Sequence, residues 1–186
     1  MKLHIGCGER YLPGYRHVDI IDCGHIDYLA DAGSLSFIDD GAVTEIYACH
    51  ILEHFKRHEI DGVLSEWDRV LCGGGILRLA VPDFEAIVTY YQENKNLYGI
   101  LGLLYGGQNY EYNFHFQVFD FKRSKELLEK AGFTNITIYD WREFLPEGYD
   151  DYSRAYLPHM DFKNGRLMSL NILAEKKSYM DQTEGK

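Results

Sequence analysis

The sequence lacks a basic surplus: 19 lysines and arginines stand against 29 aspartates and glutamates, giving a net charge of −10. Such a chain has few cations with which to neutralise phosphates, so neither nucleic acid nor an anionic membrane surface is an expected partner. A long apolar run is missing too. The longest near-apolar stretch, 98–107, is about half of the ~20 residues a membrane-spanning helix needs. Met1 leads straight into the strand-like Leu3-His4-Ile5 without an apolar leader, and the expected location is cytoplasmic. The four cysteines, at 7, 23, 49 and 72, form no CxxC pair, so reduced thiols are expected rather than a disulfide frame. Internal repeats and low-complexity tracts are also absent.

What is present is 186 residues, 46% hydrophobic and 15% aromatic, enough for one domain with its own core. Short apolar runs alternate with helical patterns, which predicts an α/β fold with crossover helices. Seven strands are expected, over 2–5, 17–20, 27–30, 44–49, 76–81, 135–139 and 167–175. Ile60, Val63, Leu64, Trp67, Val70 and Leu71 recur at helical spacing, with Gly73-Gly74-Gly75 expected to stop that helix. A second helix is predicted from an N-capping Asp120, burying Leu127, Leu128 and Ala131 and ending at Gly132, and a third over 84–94. The domain is expected to span 1–175, with an aromatic, glycine-punctuated lid over 95–119, a long loop over 141–165 and a polar tail over 176–186.

Leu3-His4-Ile5-Gly6-Cys7-Gly8 reads as a strand running into Gly-x-Gly, where glycines allow a sharp turn and close approach of a ligand to the main chain. His17-Val18-Asp19-Ile20 ends a second strand in a carboxylate, the place where nucleotide-binding α/β folds hold ribose hydroxyls. Asp19 follows Gly8 by 11 residues, the third glycine of a dinucleotide fingerprint is missing, and Pro13-Gly14 interrupts the gap. No helix N-terminus then meets a pyrophosphate, so a nucleoside ligand fits better than NAD, and a nicotinamide-dependent reductase is disfavoured. Cys7 is either a reactive thiol or a space-filler between two glycines.

Further along stand Leu29-Ala30-Asp31-Ala32, Glu45-Ile46-Tyr47-Ala48-Cys49-His50-Ile51-Leu52-Glu53-His54 and Arg69-Val70-Leu71-Cys72-Gly73-Gly74-Gly75. With the two motifs above, this series resembles class I S-adenosylmethionine (SAM)-dependent methyltransferases, and within them the small methyltransferase type 11 group. The resemblance implies a Rossmann-like, seven-stranded, mostly parallel sheet with an antiparallel last strand. It implies SAM as cofactor: Gly6, Cys7 and Gly8 along its methionine and ribose, Asp19 on the ribose diol, Asp31 at the adenine with Ala32 beside it, and His50, Ile51 and Leu52 as the floor near the sulfonium. Asp31 has a second reading, as the cap of a turn before Gly33-Ser34.

Two departures stand out. His4 occupies the place of a common acidic residue, and the segments before Asp19 and Asp31 are too short for the usual crossover helices, so the N-terminal helices are trimmed. One sheet face is left thinly covered, a gap that a homodimer or the aromatic insertion would fill. The implied activity is methyl transfer to an oxygen or nitrogen of a small molecule or glycan precursor, with a non-catalytic SAM-binding sensor or partner subunit as the alternative. If a base assists, the candidates are Asp83 past the fifth strand, His115 among aromatics and His159 in the long loop. His50, His54 and His58 are four residues apart, but on a helix the outer two would be ~12 Å apart, too far to share one ion. No metal is expected.

Overall fold

The computed structural model describes residues 1–178. In chain order the elements are β1 (Lys2–Ile5), β2 (Arg16–Asp19), β3 (Tyr28–Leu29), β4 (Val43–Cys49), α1 (Ile60–Val70), β5 (Leu71–Pro82), α2 (Phe84–Asn94), α3 (Leu101–Tyr105), α4 (Phe121–Lys130), β6 (Phe133–Ile138), β7 (Tyr156–Leu157), β8 (Arg166–Leu167) and β9 (Ser169–Lys176). Seven strands form one sheet in the order β3-β2-β1-β4-β5-β9-β6, parallel except for β9, which runs antiparallel to both neighbours. The small β7-β8 hairpin lies apart, β7 within the predicted long loop and β8 just past its end.

Alternation along the strands sorts the side chains into two layers. Leu3 and Ile5 of β1 and Ile46 and Ala48 of β4 enter the larger core, where Trp67, Leu64 and Val63 of α1 and Leu128 of α4 cover them. No helix crosses between β1 and β4. The crossover from β3 to β4 is instead pinned by α1: Trp67 Nε1 donates to the Ala32 carbonyl at 2.8 Å, and the Arg69 guanidinium reaches the carbonyls of Leu35 and Ile38. One helix serves both as the β4–β5 crossover and as the buttress of a helix-free one.

The opposite face carries Tyr47 and Cys49 of β4 and Ala80 of β5. Leu145 seals it, with Trp141, Phe144 and Tyr149 packed alongside. Tyr47 Oη donates to Asp151 Oδ2 at 2.5 Å, and Asn171 Nδ2 to the Ser153 carbonyl at 2.8 Å. The 141–165 connection is therefore the cover of the thin face, a part the sequence had offered to a homodimer or to the aromatic insertion.

Three local expectations need correction. α1 ends at Val70 because Leu71 turns extended (φ −69°, ψ 140°) to begin β5, so Gly73-Gly74-Gly75 does not stop the helix. The glycines lie in a bulge of β5, between the pairs Val43–Leu71 and Glu45–Ile76, with Gly74 at φ +76°. The stretch from His50 to His58, weighed above on helical spacing, holds only a single 3-10 turn, Leu52–His54, and α1 starts at Ile60. Lys176 belongs to β9, its ammonium on the Asp68 carbonyl, rather than to a tail; residues 179–186 of that predicted tail lie outside the described ones. Among the described residues no helix is long and apolar enough to cross a membrane.

Candidate functional site

The chain leaves β1 for β2 on one side of the sheet, while β4 lies on the other, so a crevice opens at their carboxyl ends, where open α/β sheets bind ligands. Gly6 stands at its apex with φ +64°, and a Cβ there would sit 2.7 Å from the Ile51 side chain, so glycine is required both by conformation and by space. Gly8, at φ +54°, differs: a Cβ added to it meets nothing within 4 Å, because it projects into open space.

That space is a cavity of about 900 Å³. Its wall includes Gly6, Cys7, Gly8, Asp19, Asp31, Ala32, His50 and Ile51, eight of the nine positions the resemblance implied for a cofactor. Leu52 is the exception, buried in the core beneath. Asp19 Oδ2 accepts from Gly8 N at 2.8 Å and Oδ1 from Ile21 N at 2.9 Å, which ties the loops after β1 and β2 together and fixes the carboxylate. Asp31 Oδ1 accepts from Gly33 N at 2.7 Å, so the turn-capping reading holds, and Asp31 still borders the cavity. Burial, and after it the Asp19 carboxylate, pushes the Cys7 thiol up to about 12. A protonated thiol is a poor nucleophile, which favours the space-filling reading of Cys7 over the reactive one.

The far wall comes from the two long connections. His115 and His159, both expected as candidate bases, line the cavity with Tyr110 and Tyr152. Asp83, the third candidate, is not on the wall: its Oδ1 accepts from Glu85 N and Ala86 N and caps α2. The sequence placed it correctly past β5, yet a residue before a helix is an N-cap first.

No protein-family model matches the chain and no curated protein does either. Solved structures do. A SAM-dependent methyltransferase from Archaeoglobus fulgidus shares 14% identity over 94% of this chain and 85% of its own, with a TM-score of 0.57. One from Methanosarcina mazei shares 18% over 95% and 92%, also at 0.57. The 1,6-didemethyltoxoflavin-N1-methyltransferase of Burkholderia thailandensis, solved with 1,6-didemethyltoxoflavin and S-adenosylhomocysteine bound, shares 16% over 95% and 71%, again at 0.57. The chain has the fold of the SAM-dependent methyltransferases.

On this methyltransferase fold the absence of a helix between β1 and β2 removes the phosphate-binding helix end that a dinucleotide site uses. Sequence reasoning missed Glu53, which lies in the quoted motif but was assigned no role. It is fully buried, and among the described residues neither carboxylate oxygen accepts a hydrogen bond. His50 Nδ1 stands 3.2 Å from Glu53 Oε1, and His115 Nε2 4.0 Å from the same atom. Burial alone would raise the Glu53 carboxyl; facing His50, His54 and His115 outweighs it and holds the group below its usual value. Burial pulls the His115 imidazole down. His50 itself is a non-glycine residue at φ +52°, a conformation kept only where its surroundings enforce it. The signal that could have found Glu53 is its spacing in His50-x-x-Glu53-His54, an acid interleaved with the histidines.

Proposed function

We propose that the chain is a SAM-dependent methyltransferase acting on an oxygen or nitrogen of a small molecule or glycan precursor. The observation that carries this reading is one cavity with two unlike walls: Gly6, Gly8, Asp19 and Asp31 on loops after β1 to β3, and His115 and His159 on the long connections.

The residues fit the cofactor. Gly8 leaves room where any larger residue would intrude, and Asp19 is held by two backbone amides with lone pairs to spare for ribose hydroxyls. When bound, SAM supplies an electrophilic methyl group that is taken in a single in-line displacement, so the protein's part is mainly orientation. Tyr110 and Tyr112 of the 95–119 segment, which line the cavity, close over the acceptor as a lid and exclude water. An imidazole, His115 or His159, accepts the proton that an acceptor hydroxyl or ammonium gives up.

Calorimetry with SAM and S-adenosylhomocysteine tests the reading, with at least tenfold weaker binding expected for Asp19→Ala. Unchanged affinity would remove Asp19 from the site. Binding without turnover across a broad acceptor panel would favour the non-catalytic sensor, the alternative to which His4, in place of the family's acidic residue, lends support.

A further inference from the structure

Three histidines surround Glu53, and the hydrogen bonds around them decide which nitrogen of each carries a proton. His54 Nδ1 contacts the Phe114 carbonyl at 3.1 Å, and His115 Nδ1 the Leu103 carbonyl at 3.0 Å. A carbonyl only accepts, so in both rings Nδ1 carries a hydrogen, and in the neutral ring Nε2 keeps its lone pair. His50 follows from a longer chain of reasoning. Asn171 Nδ2 donates to the Ser153 carbonyl, which leaves Asn171 Oδ1 to accept from Ser169 Oγ at 3.0 Å. Ser169 Oγ has then spent its hydrogen and accepts from His50 Nε2 at 3.0 Å, so the lone pair of neutral His50 is on Nδ1.

What remains is a cluster of acceptors facing one another. Neither oxygen of Glu53 has a hydrogen-bond partner among the described residues, and His50 Nδ1 at 3.2 Å and His115 Nε2 at 4.0 Å, which face Oε1, are lone-pair nitrogens in the neutral rings. A fully buried carboxylate without a hydrogen-bond donor is costly; the imidazoles beside it supply counter-charge only when protonated, whereas a bound cation relieves the cost with all three rings neutral. One ligand atom each from Glu53, His54 and His115 lies within 4.8 Å of the other two, a spread that a modest inward shift converts to coordination. Backbone carbonyls orient both imidazoles from behind, as the outer partners of metal-bound histidines do.

We infer that Glu53, His54 and His115 form a binding site for a divalent first-row transition ion of the zinc class, at the edge of the methyl-transfer cavity. Two imidazoles and one carboxylate suit zinc, cobalt, manganese or iron, whereas magnesium and calcium prefer all-oxygen shells. His54 and His115 border the cavity, so the open coordination positions face the acceptor. His58, in the line of histidines that the sequence suggested, is 78% exposed and takes no part. Helical spacing excluded a shared ion along that line; the ligands instead come from a 3-10 turn and from the lid.

The consequence for substrate rests on the methyl-transfer reading; the ion site does not. An acceptor hydroxyl bound to the ion is acidified. Its proton leaves to His159 or water, its oxygen bonds to the methyl carbon, and the electrons of the broken carbon–sulfur bond stay on sulfur. This assigns His115 to the ion, leaves His159 as the base, and narrows the acceptor to an alcohol or diol.

The test titrates the chelator-stripped full chain with Co(II) or Zn(II) alone, followed by Co(II) absorption and thermal unfolding. One equivalent bound, four- to six-coordinate Co(II) bands and a raised Tm are expected. Affinity should fall at least tenfold in Glu53→Gln and His115→Gln and stay unchanged in His58→Gln. Substoichiometric uptake, or equal affinity in all the variants, overturns the site. Should either core variant fail to fold, paramagnetically shifted imidazole signals from His54 and His115 in the Co(II)-loaded wild type serve instead, and their absence is equally decisive. S-adenosylhomocysteine affinity, measured in parallel, separates the two ideas: ion binding without it sinks the methyl-transfer reading alone, and the reverse sinks the ion site alone.

Discussion

Two carboxylates, one on the wall of the crevice and one buried behind it, live in opposite surroundings. Asp19, at the end of β2, is held by two backbone amides, which tie two loops into one preformed rim. Glu53, after β4, has no amide at all and looks onto three imidazoles, one of them delivered by a segment more than 60 residues away in the chain. The first is finished by the fold, in donors that every residue carries. The second is left for something else to complete. Short loops tied by backbone amides thus form one half of the crevice, and the long connections bring side chains from distant segments to the other.

The largest expected effect tests how rigid the rim is. Gly6→Ala forces a side chain into φ +64° and into Ile51, and should cost about 3 kcal/mol in denaturant unfolding, partly recovered by adding Ile51→Ala. Next comes the layer beneath. Burial first, then His17, Arg10 and His25, lower His4 from 6.5 to about 3, so folded His4 stays neutral where unfolded His4 takes a proton. Stability is therefore full above pH 6.5 and falls as the pH drops towards 3, by up to about 1.4 kcal/mol per unit. Urea titrations at pH 7 and pH 5 should show this, and His4→Gln should flatten the slope.

A smaller effect separates the two carboxylates directly. Asp19→Ala should weaken S-adenosylhomocysteine by tenfold, about 1.4 kcal/mol, while Glu53→Gln leaves it within threefold. Equal losses in both would dissolve the division. Smallest is Asp83: Asp83→Ala should cost about 1 kcal/mol of stability through the lost cap, with Asp83→Asn near neutral and turnover unaffected in both.

The rim was legible in the sequence because it is local. Gly6, Gly8 and Asp19 announce a tight turn and a strand-end acid within a few residues, and short apolar runs marked β1 and β4 as strands. The helix before β5 was equally plain from Ile60, Val63, Leu64 and Trp67, but its end was not. Gly73 to Gly75 carry the same turn signal whether they stop a helix or make a bulge, and only the pairing of β5 with β4 distinguishes the two. Asp83 is ambiguous for a related reason, since being past a strand and capping a helix share one address. The Glu53 cluster needed His115 brought onto a turn after β4, a contact between distant segments that no spacing in the sequence encodes.

The 141–165 connection does two jobs with one stretch of chain. It caps the sheet face through Leu145 and Asp151, and Asp150, Tyr152 and Arg154 of the same stretch reach the cavity wall. Occupancy and opening are then linked: a molecule seated against Tyr152 and Arg154 resists the local unfolding that would bare Tyr47 to a protease. Saturating ligand should slow cleavage within this connection far more than cleavage elsewhere, and a product held there leaves no faster than the cover itself breathes.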